Sequence, residues 1–193
     1  MSHPWPSNRE EKALHEKLLL KFASSQRPHS QPDGWTYQNQ YDLVLKEGRW
    51  YVPSRLTGNI IKGPDEECFR NAVIPVLDTS GYTYVEGFAA PPTKKRLVHH
   101  AWVTDRYGKA IETTWEDPGL AYCGIPFRTK YLREITFMSR GRNGKYGIIT
   151  DRLHAEHNPF KNGFPDHAIA PVYVKVAFAL LSHRDKNDLL HRG

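Results

Sequence analysis

The fold of this chain is decided by residues 97–115, which read LVHHAWVTDRYGKAIETTW. Extended, β-prone segments flank the turn DRYG, and this is the pattern of a β-hairpin. Successive side chains of a strand point to opposite faces, so His100 and Trp102 share one face while His99 points to the other. Glu112 lies a few residues from the turn, as His100 does, and we expect the two side chains to lie next to each other.

An antiparallel meander is predicted around this hairpin. Strands are expected at 82–89, 97–104 and 109–115, separated by glycine- and proline-containing turns. Further upstream, two short runs at 41–45 and 49–52 flank a Glu-Gly pair and predict another hairpin. The sequence therefore favours a sheet built largely from chain neighbours.

A predicted helix between these two groups of strands carries the first candidate nucleophile. Turn residues at 62–65 open a helix expected over 65–74, where Pro75 would strain any continuation. Cys68 falls in the first turn of this helix. The unpaired amide groups and positive dipole of a helix start stabilise a thiolate, so the sequence predicts an activated thiol at this position.

The length and composition fit one domain with an N-terminal extension. The chain has 193 residues, 39% of them hydrophobic and 12% aromatic, which is enough to bury a core. An amphipathic helix is predicted over 8–24 and a proline-containing break follows it, so residues 1–34 are expected to form a helical arm and linker before a domain at 35–193. Other elements are predicted at 129–138 (helix), 146–150 (strand), 151–157 (helical turn) and 172–182 (helix or strand).

Charge and cysteine content predict the character of the surface and the redox compartment of the protein. The net charge of +6 is spread along the chain, which predicts a solvated surface and only weak attraction to an anionic partner. Cys68 and Cys123 are too few for a disulfide framework, so we expect a reducing compartment and a structural role for Cys123. The amino terminus lacks a signal-peptide pattern and no segment reaches ~20 apolar residues, which predicts a soluble, cytoplasmic protein without membrane contact.

Cys68, His100 and Glu112 follow one another in the order nucleophile, base and orienter. A thiol is a strong nucleophile only as the thiolate, which needs an imidazole in reach, and a carboxylate fixes the tautomer of that imidazole. Each residue also has an ordinary interpretation: a buried inert cysteine, a core histidine, and a strand glutamate paired with Lys109. The joint occurrence on fitting elements favours the catalytic interpretation.

The residues around this trio resemble those of a known family. The matching words are CFRNA (68–72), YVEGFA (84–89), HAW (100–102), ETTW (112–115) and YCGIPF (122–127). They resemble the transglutaminase-like branch of the papain-like cysteine enzymes over roughly residues 63–127. That resemblance implies an α+β domain in which a helix bearing the Cys packs on an antiparallel sheet bearing the His and the acid.

The resemblance also implies an activity. Cys68 would be the nucleophile, His100 the general base and Glu112 the orienter in hydrolysis, deamidation or transfer of an amide or thioester, on a protein, peptide or small acyl substrate and without a cofactor. The family usually has Asp where this chain has Glu112, so Asp105 or Asp117 are alternative third members. Oxyanion or substrate contacts are expected from the Cys68 amide and from Asn59, Asn71, Trp102 and Tyr122.

Three other functions are left open by the sequence. The first is a catalytically inactive member of the same fold that acts as a binding or regulatory protein. The second is a basic nucleic-acid-binding protein that uses residues 140–145 and 183–192. The third is a metal site at His154 and His157 with His167 or Asp166, but the segment lacks the His-Glu-x-x-His pattern, so no metal is expected.

Overall fold

A computed structural model of the chain describes residues 34–56, 60–92, 97–138, 147–149 and 158–171, together with positions 17, 20 and 21. Those three positions are helical, but the rest of the predicted helix 8–24 lies outside the described residues. The basic segment 140–145 and the predicted elements at 151–157 and 172–182 also lie outside them. The division into an arm at 1–34 and a domain at 35–193 therefore stays a prediction.

The described residues from 34 to 171 form a mixed α+β structure of four helices and five strands. In chain order the elements are α1 (Gln40–Glu47), β1 (Arg49–Ser54), α2 (Cys68–Asp78), β2 (Thr83–Ala90), β3 (Val98–Thr104), β4 (Lys109–Ile111), β5 (Ala121–Phe127), α3 (Thr129–Met138) and α4 (Pro159–Asn162). The predicted helix at 129–138 and the predicted strands at 49–52, 82–89 and 97–104 are confirmed to within two residues.

The strands close into a barrel in the order β1-β4-β3-β2-β5. β2 is central, because it pairs antiparallel with β3 on one side and with β5 on the other. β1 closes the ring by running parallel to β4 and antiparallel to β5. The antiparallel order of β2, β3 and β4 agrees with the predicted meander. The closure of the barrel through β1 was not predicted from the sequence.

Strand alternation divides β3 between two apolar clusters. Ala101 and Val103 face the cluster that the helices cover, and Trp102 faces the barrel interior. The interior cluster consists of Val85, Ala89, Trp102, Ala110 and Tyr122, with Tyr51 and Trp115 packed against it. Because His100 alternates with Ala101 as Trp102 does, its side chain lies on the interior face, as the sequence predicts.

The predicted strand at 41–45 is wrong, because these residues belong to α1. The Asn39 side chain accepts hydrogen bonds from the main-chain N–H groups of Tyr41 (2.9 Å) and Asp42 (3.0 Å), which caps the helix start. Gly48 ends the helix by donating to the Val44 carbonyl oxygen at 2.8 Å. The short apolar run at 41–45 fits the side-chain spacing of a strand as well as that of a helix. The Asn39 cap decides in favour of the helix.

α2 also differs from its prediction at both ends. It begins at Cys68 rather than at residue 65, and it continues through Pro75 to Asp78. A proline within a helix removes one main-chain hydrogen bond, but the Pro75 carbonyl still accepts from Thr79 N–H at 3.0 Å. Val76, one residue beyond the proline, is buried in the core, so packing holds the last turn in place.

Two further predicted strands are shorter or absent. The strand expected at 109–115 ends at Ile111, because the following residues turn around the Glu112 carboxylate. Of the strand expected at 146–150, residues 147–149 are described, and they form a turn. In the described ranges no helix has the length and apolar character that crossing a bilayer requires.

Candidate active site

The site forms where β3 and β4 separate. The two strands pair through two residues each, and beyond Ile111 the chain leaves β3. The Glu112 side chain causes this turn, since its Oε1 accepts from the main-chain N–H groups of Thr114 (2.7 Å) and Trp115 (3.1 Å). The carboxylate is thereby fixed beside β3 at the level of His100.

Glu112 and His100 form the predicted pair, and both are only 2% exposed. His100 Nε2 lies 3.0 Å from Oε2 and 3.2 Å from Oε1 of Glu112. Tyr122 donates its hydroxyl hydrogen to Oε2 at 2.6 Å and accepts from Gly119 N–H at 2.7 Å. An ionised carboxylate only accepts, so Nε2 of His100 carries a hydrogen and donates it.

The pair holds a proton on His100. Burial lowers the pKa of His100, but the Glu112 charge and hydrogen bonds with Cys68 and Glu112 outweigh it and raise this pKa to about 9. Burial raises the pKa of Glu112, yet the charge of His100 and hydrogen bonds from His100, Tyr122 and Thr114 lower it below its ordinary value. Burial, with the Glu112 charge, raises the pKa of Tyr122 well above its ordinary value, so this phenol stays a donor.

Cys68 lies next to the other side of the imidazole. It is the first residue of α2, it is 9% exposed, and it forms no disulfide. Its thiol is near enough to His100 to contribute to the raised pKa of that histidine. Because Nε2 of His100 faces Glu112, Nδ1 is the nitrogen left for Cys68. The three predicted catalytic residues therefore come together in the predicted order.

Asn71 fixes the loop that leads into α2. Its Nδ2 donates to the Pro64 carbonyl oxygen (2.7 Å) and to Thr114 Oγ1 (3.0 Å), and Gly63 N–H donates to the Thr113 carbonyl oxygen (2.9 Å). The loop passes so close that a Cβ on Gly63 would lie 1.9 Å from Asn71 Oδ1. These contacts tie the helix start to the turn that carries Glu112.

The backbone is strained two residues before the thiol. Glu66 has a φ of 67°, and it is the one non-glycine residue with positive φ in the described part of the chain. The left-handed region costs an L-residue about 1–2 kcal/mol, and such strain concentrates at functional sites. Glu66 is exposed, so the loop contacts described above, rather than its own side chain, hold this conformation.

Aromatic rings enclose the imidazole. Trp115 stacks on His100 with ring centroids 3.9 Å apart and an angle of 8° between the rings. Trp102 and Tyr122 lie further away, each with its centroid 6.4 Å from that of His100. Both are fully buried, so they support the histidine and are shielded from any substrate in this conformation.

We expect Trp115→Leu to expose the His100–Glu112 hydrogen bond to water. The substitution removes a stacked ring, which costs about 1–3 kcal/mol in the free energy of unfolding. Exchange of the His100 Nε2 hydrogen with solvent, followed by NMR, should accelerate as well. Trp115→Phe keeps an aromatic face and is the matched control; equal exchange rates in both variants would argue against shielding by the stacked ring.

The remaining predicted site residues lie elsewhere. Asp105 accepts from the N–H groups of its own turn, at Tyr107 (2.8 Å) and Lys109 (3.1 Å). Asp117 is largely exposed and lies 3.9 Å from Arg55. The described contacts thus make Glu112 the carboxylate that pairs with His100. Asn59 lies outside the described residues.

The metal alternative gains no support. In the described ranges no three His, Cys, Asp or Glu side chains are grouped so as to hold a metal ion. His167 is exposed and lies 3.8 Å from Glu134, while His154 and His157 lie outside the described residues.

Cys123 is buried in the core cluster between the barrel and the helices.

Sequence reasoning missed a second histidine–glutamate pair, which lies on the opposite face of β3 and is partly buried. His99 Nε2 lies 2.9 Å from Oε1 of Glu86, whose side chain is completely buried. The signal was a single carboxylate in the otherwise apolar strand TYVEGFAA. His99 also packs against Phe69, with ring centroids 4.9 Å apart, so this pair reaches the residue next to Cys68.

Comparison of the chain with protein-family models, with curated proteins and with solved structures found no match.

Proposed function

We propose that this protein is a cysteine-dependent acyl-transfer enzyme that uses Cys68, His100 and Glu112. The observation that carries the proposal is the buried pair of Glu112 and His100, with the Cys68 thiol at the start of α2 near enough to contribute to the raised pKa of the histidine. Such an arrangement supplies a cation that stabilises the thiolate and a negative charge that stabilises the imidazolium. The strained loop at Glu66 supports the same location.

We further propose that the fold is a papain-like core of the transglutaminase-like type. Two observations support this assignment. α2, which begins with the thiol, packs against β3 and β2, and the sheet there is antiparallel and carries the histidine. The acid comes directly after β4, the strand next to β3, whereas the resembling family has its acid within that next strand.

The proposed reaction begins from an ion pair in which the proton of the Cys68 thiol already resides on Nδ1 of His100, in keeping with the raised pKa of that histidine. The thiolate attacks the carbonyl carbon of an amide or thioester. A C–S bond forms and the carbonyl π electrons move to oxygen. When the tetrahedral intermediate collapses, His100 returns the proton to the departing amine or thiol and leaves an acyl-enzyme. Water or an amine then attacks this thioester with His100 again acting as base, and the Cys68 thiol is regenerated.

The main-chain N–H of Cys68 is our proposed donor to the oxyanion. The first amide groups of a helix have no partner within the helix, and the dipole there favours negative charge. The Nδ2 group of Asn71 already donates to two protein oxygens, so we assign it a role in holding the loop. A contribution from Asn59 stays a prediction.

The surroundings of the thiol bear on the two alternative functions, an inactive binding protein and a nucleic-acid-binding protein. The nearly complete burial of Cys68 favours the inactive binding protein, since a substrate needs a path to the sulfur. Nucleic-acid binding near the thiol is disfavoured, because the loop before α2 and the turn after Glu112 carry exposed carboxylates at Asp65, Glu66 and Glu116. The salt bridges of Lys62 with Asp65 (3.6 Å) and Glu116 (3.3 Å) offset only part of this negative charge.

The proposal predicts that Cys68 reacts with iodoacetamide below the pH range of an ordinary thiol. A free thiol loses about tenfold in alkylation rate per pH unit below its pKa of about 8.5. In Cys123→Ser protein, which leaves one cysteine, we expect the rate to fall by less than about threefold between pH 8 and pH 6, because His100 stabilises the thiolate.

The matched variant is His100→Gln in the same background. It should restore the steep pH dependence of a free thiol if the imidazole activates Cys68. A slow reaction that is unchanged by His100→Gln would instead favour the binding protein. A reactive thiol would justify a screen of amide and thioester substrates, in which Cys68→Ser should abolish turnover while the fold is retained.

A further inference from the structure

Glu86 is a buried carboxylate that the proposed reaction does not use. Its Oε2 accepts from the Tyr84 hydroxyl (2.7 Å) and from Ile148 N–H (2.6 Å), and its Oε1 accepts from Ile149 N–H (2.8 Å). His99 Nε2 completes the set at 2.9 Å from Oε1. Burying a carboxylate is costly unless donors surround it, and here four donors do so.

The donor set of Glu86 matches that of Glu112. Each carboxylate is bound by one histidine Nε2, one tyrosine hydroxyl and two consecutive main-chain N–H groups. The two carboxylates differ in the main-chain segment whose N–H groups they bind. Glu112 binds its own turn, whereas Glu86 binds a segment 62 residues further along the chain. Glu86 is therefore a long-range anchor.

The anchored segment lies against α2 beside the thiol. A Cβ on Gly147 would lie 2.2 Å from Glu86 Oε1 and 2.7 Å from Cε1 of Phe69. Only a glycine fits between the carboxylate and this ring. Phe69 follows Cys68 in the first turn of α2, so the 147–149 segment buttresses the turn that carries the thiol.

We infer that Glu86 is a positioning residue for the thiol site, resting on the function proposed above. It holds residues 147–149 against Phe69 and so fixes the first turn of α2 relative to β3. Glu86 does not reach the reacting atoms, since its contacts lie on the face of β3 opposite to His100. Its effect on Cys68 passes through Phe69 and the helix backbone.

Two substitutions test the anchor from opposite sides. Glu86→Gln keeps the shape but places an amide N–H₂ where two donors point, which breaks hydrogen bonds to the segment. Gly147→Ala keeps the carboxylate but forces the Cβ into Glu86 and Phe69. In both variants we expect amide hydrogen exchange at Ile148 and Ile149 to accelerate roughly tenfold or more, because the hydrogen bonds from their N–H groups to residue 86 are broken in Glu86→Gln and displaced in Gly147→Ala.

The link to the thiol has its own readout. In both variants, under conditions where circular dichroism shows the fold retained, the amide NMR signals of Phe69 and Cys68 should shift, and alkylation of Cys68 at pH 7 in the Cys123→Ser background should slow about tenfold. Glu47→Gln is the matched control, because Glu47 is another carboxylate bound by a tyrosine hydroxyl, that of Tyr37, and lies on α1. It should leave all three readouts unchanged.

The outcomes separate the anchor from the proposed reaction. Unchanged exchange at Ile148 and Ile149 would overturn the anchor. Faster exchange without a shift at Phe69 and Cys68 would overturn the positioning role. If the wild-type thiol is itself unreactive, the proposed function fails, but the exchange rates and the amide shifts still decide the inference about Glu86.

Discussion

We expect Glu112→Gln to remove the proton from His100 at neutral pH. The charge of Glu112 is the largest influence that raises the pKa of His100, to about 9, and burial opposes it. Without the charge, burial dominates, and the pKa of His100 should fall below its ordinary value of 6.5. The buried network also loses charge-assisted hydrogen bonds, which lowers the free energy of unfolding by on the order of 3 kcal/mol.

The same substitution should also decide which nitrogen of the neutral His100 keeps its hydrogen. A glutamine at 112 can keep its carbonyl oxygen towards the N–H groups of Thr114 and Trp115 and then presents its N–H₂ to Nε2 of His100. Nε2 must accept this bond, so the one hydrogen of the neutral imidazole lies on Nδ1, which faces Cys68. The positive charge that stabilises the Cys68 thiolate is then lost, and alkylation of Cys68 at pH 7 should slow by about tenfold or more.

Titration of the imidazole by NMR and alkylation kinetics together check this prediction. Glu112→Asp keeps the charge on a shorter side chain and should retain a raised His100 pKa, with weaker hydrogen bonds to Tyr122 and Thr114. Glu116→Gln is the control for a nearby charge, because the Glu116 side chain is 87% exposed and its loss should change stability by less than about 0.5 kcal/mol. A His100 pKa that stays near 9 in Glu112→Gln would mean that another group holds the proton.

The sequence was informative wherever the signal was local. Strand alternation alone separated His99 from His100, and the structure pairs these side chains with different carboxylates on opposite faces of β3. The predicted hairpin placed Glu112 beside His100, while the choice of Cys68 and His100 also rested on the resemblance, and Asp105 and Asp117 stayed open as third members. In each case the periodicity of one element, or the length of one hairpin, fixes where the side chain points.

The errors arose where a cap or a distant contact overrides propensity. The side chain of Asn39 turns the ambiguous run at 41–45 into a helix, and the Glu112 carboxylate ends a strand that its β-prone neighbours would extend. Barrel closure joins β1 to β4 and β5, which lie far along the chain and carry no mutual signal. The main-chain partners of Glu86, at Ile148 and Ile149, lie 62 and 63 residues away, so a lone carboxylate in an apolar strand could indicate buried donors but not this segment.

The ion pair should also make the stability of the protein depend on pH in a defined direction. The pKa of His100 is raised from 6.5 to about 9, so its stabilising contribution is complete below pH 6.5 and is lost as the pH rises through 9. The pKa of Glu112 is lowered from 4.5, so its contribution is present above pH 4.5 and is lost as the pH falls through the folded-state value. The pair therefore stabilises the fold most between about pH 4.5 and 6.5.

Urea denaturation of the wild type and of His100→Gln measures this effect as a difference. The two stability curves should converge by on the order of 3 kcal/mol as the pH is raised from 6.5 to 9, because only the wild type releases the extra proton of the folded state. His167→Gln is the control, since the His167 side chain is 63% exposed and its removal should leave the wild-type profile intact. Cys68→Ser should shift the loss to lower pH, because the thiol contributes to the raised pKa of His100. Parallel curves for the wild type and His100→Gln would show that His100 is neutral in the folded protein, and the ion pair on which the proposed chemistry depends would not exist.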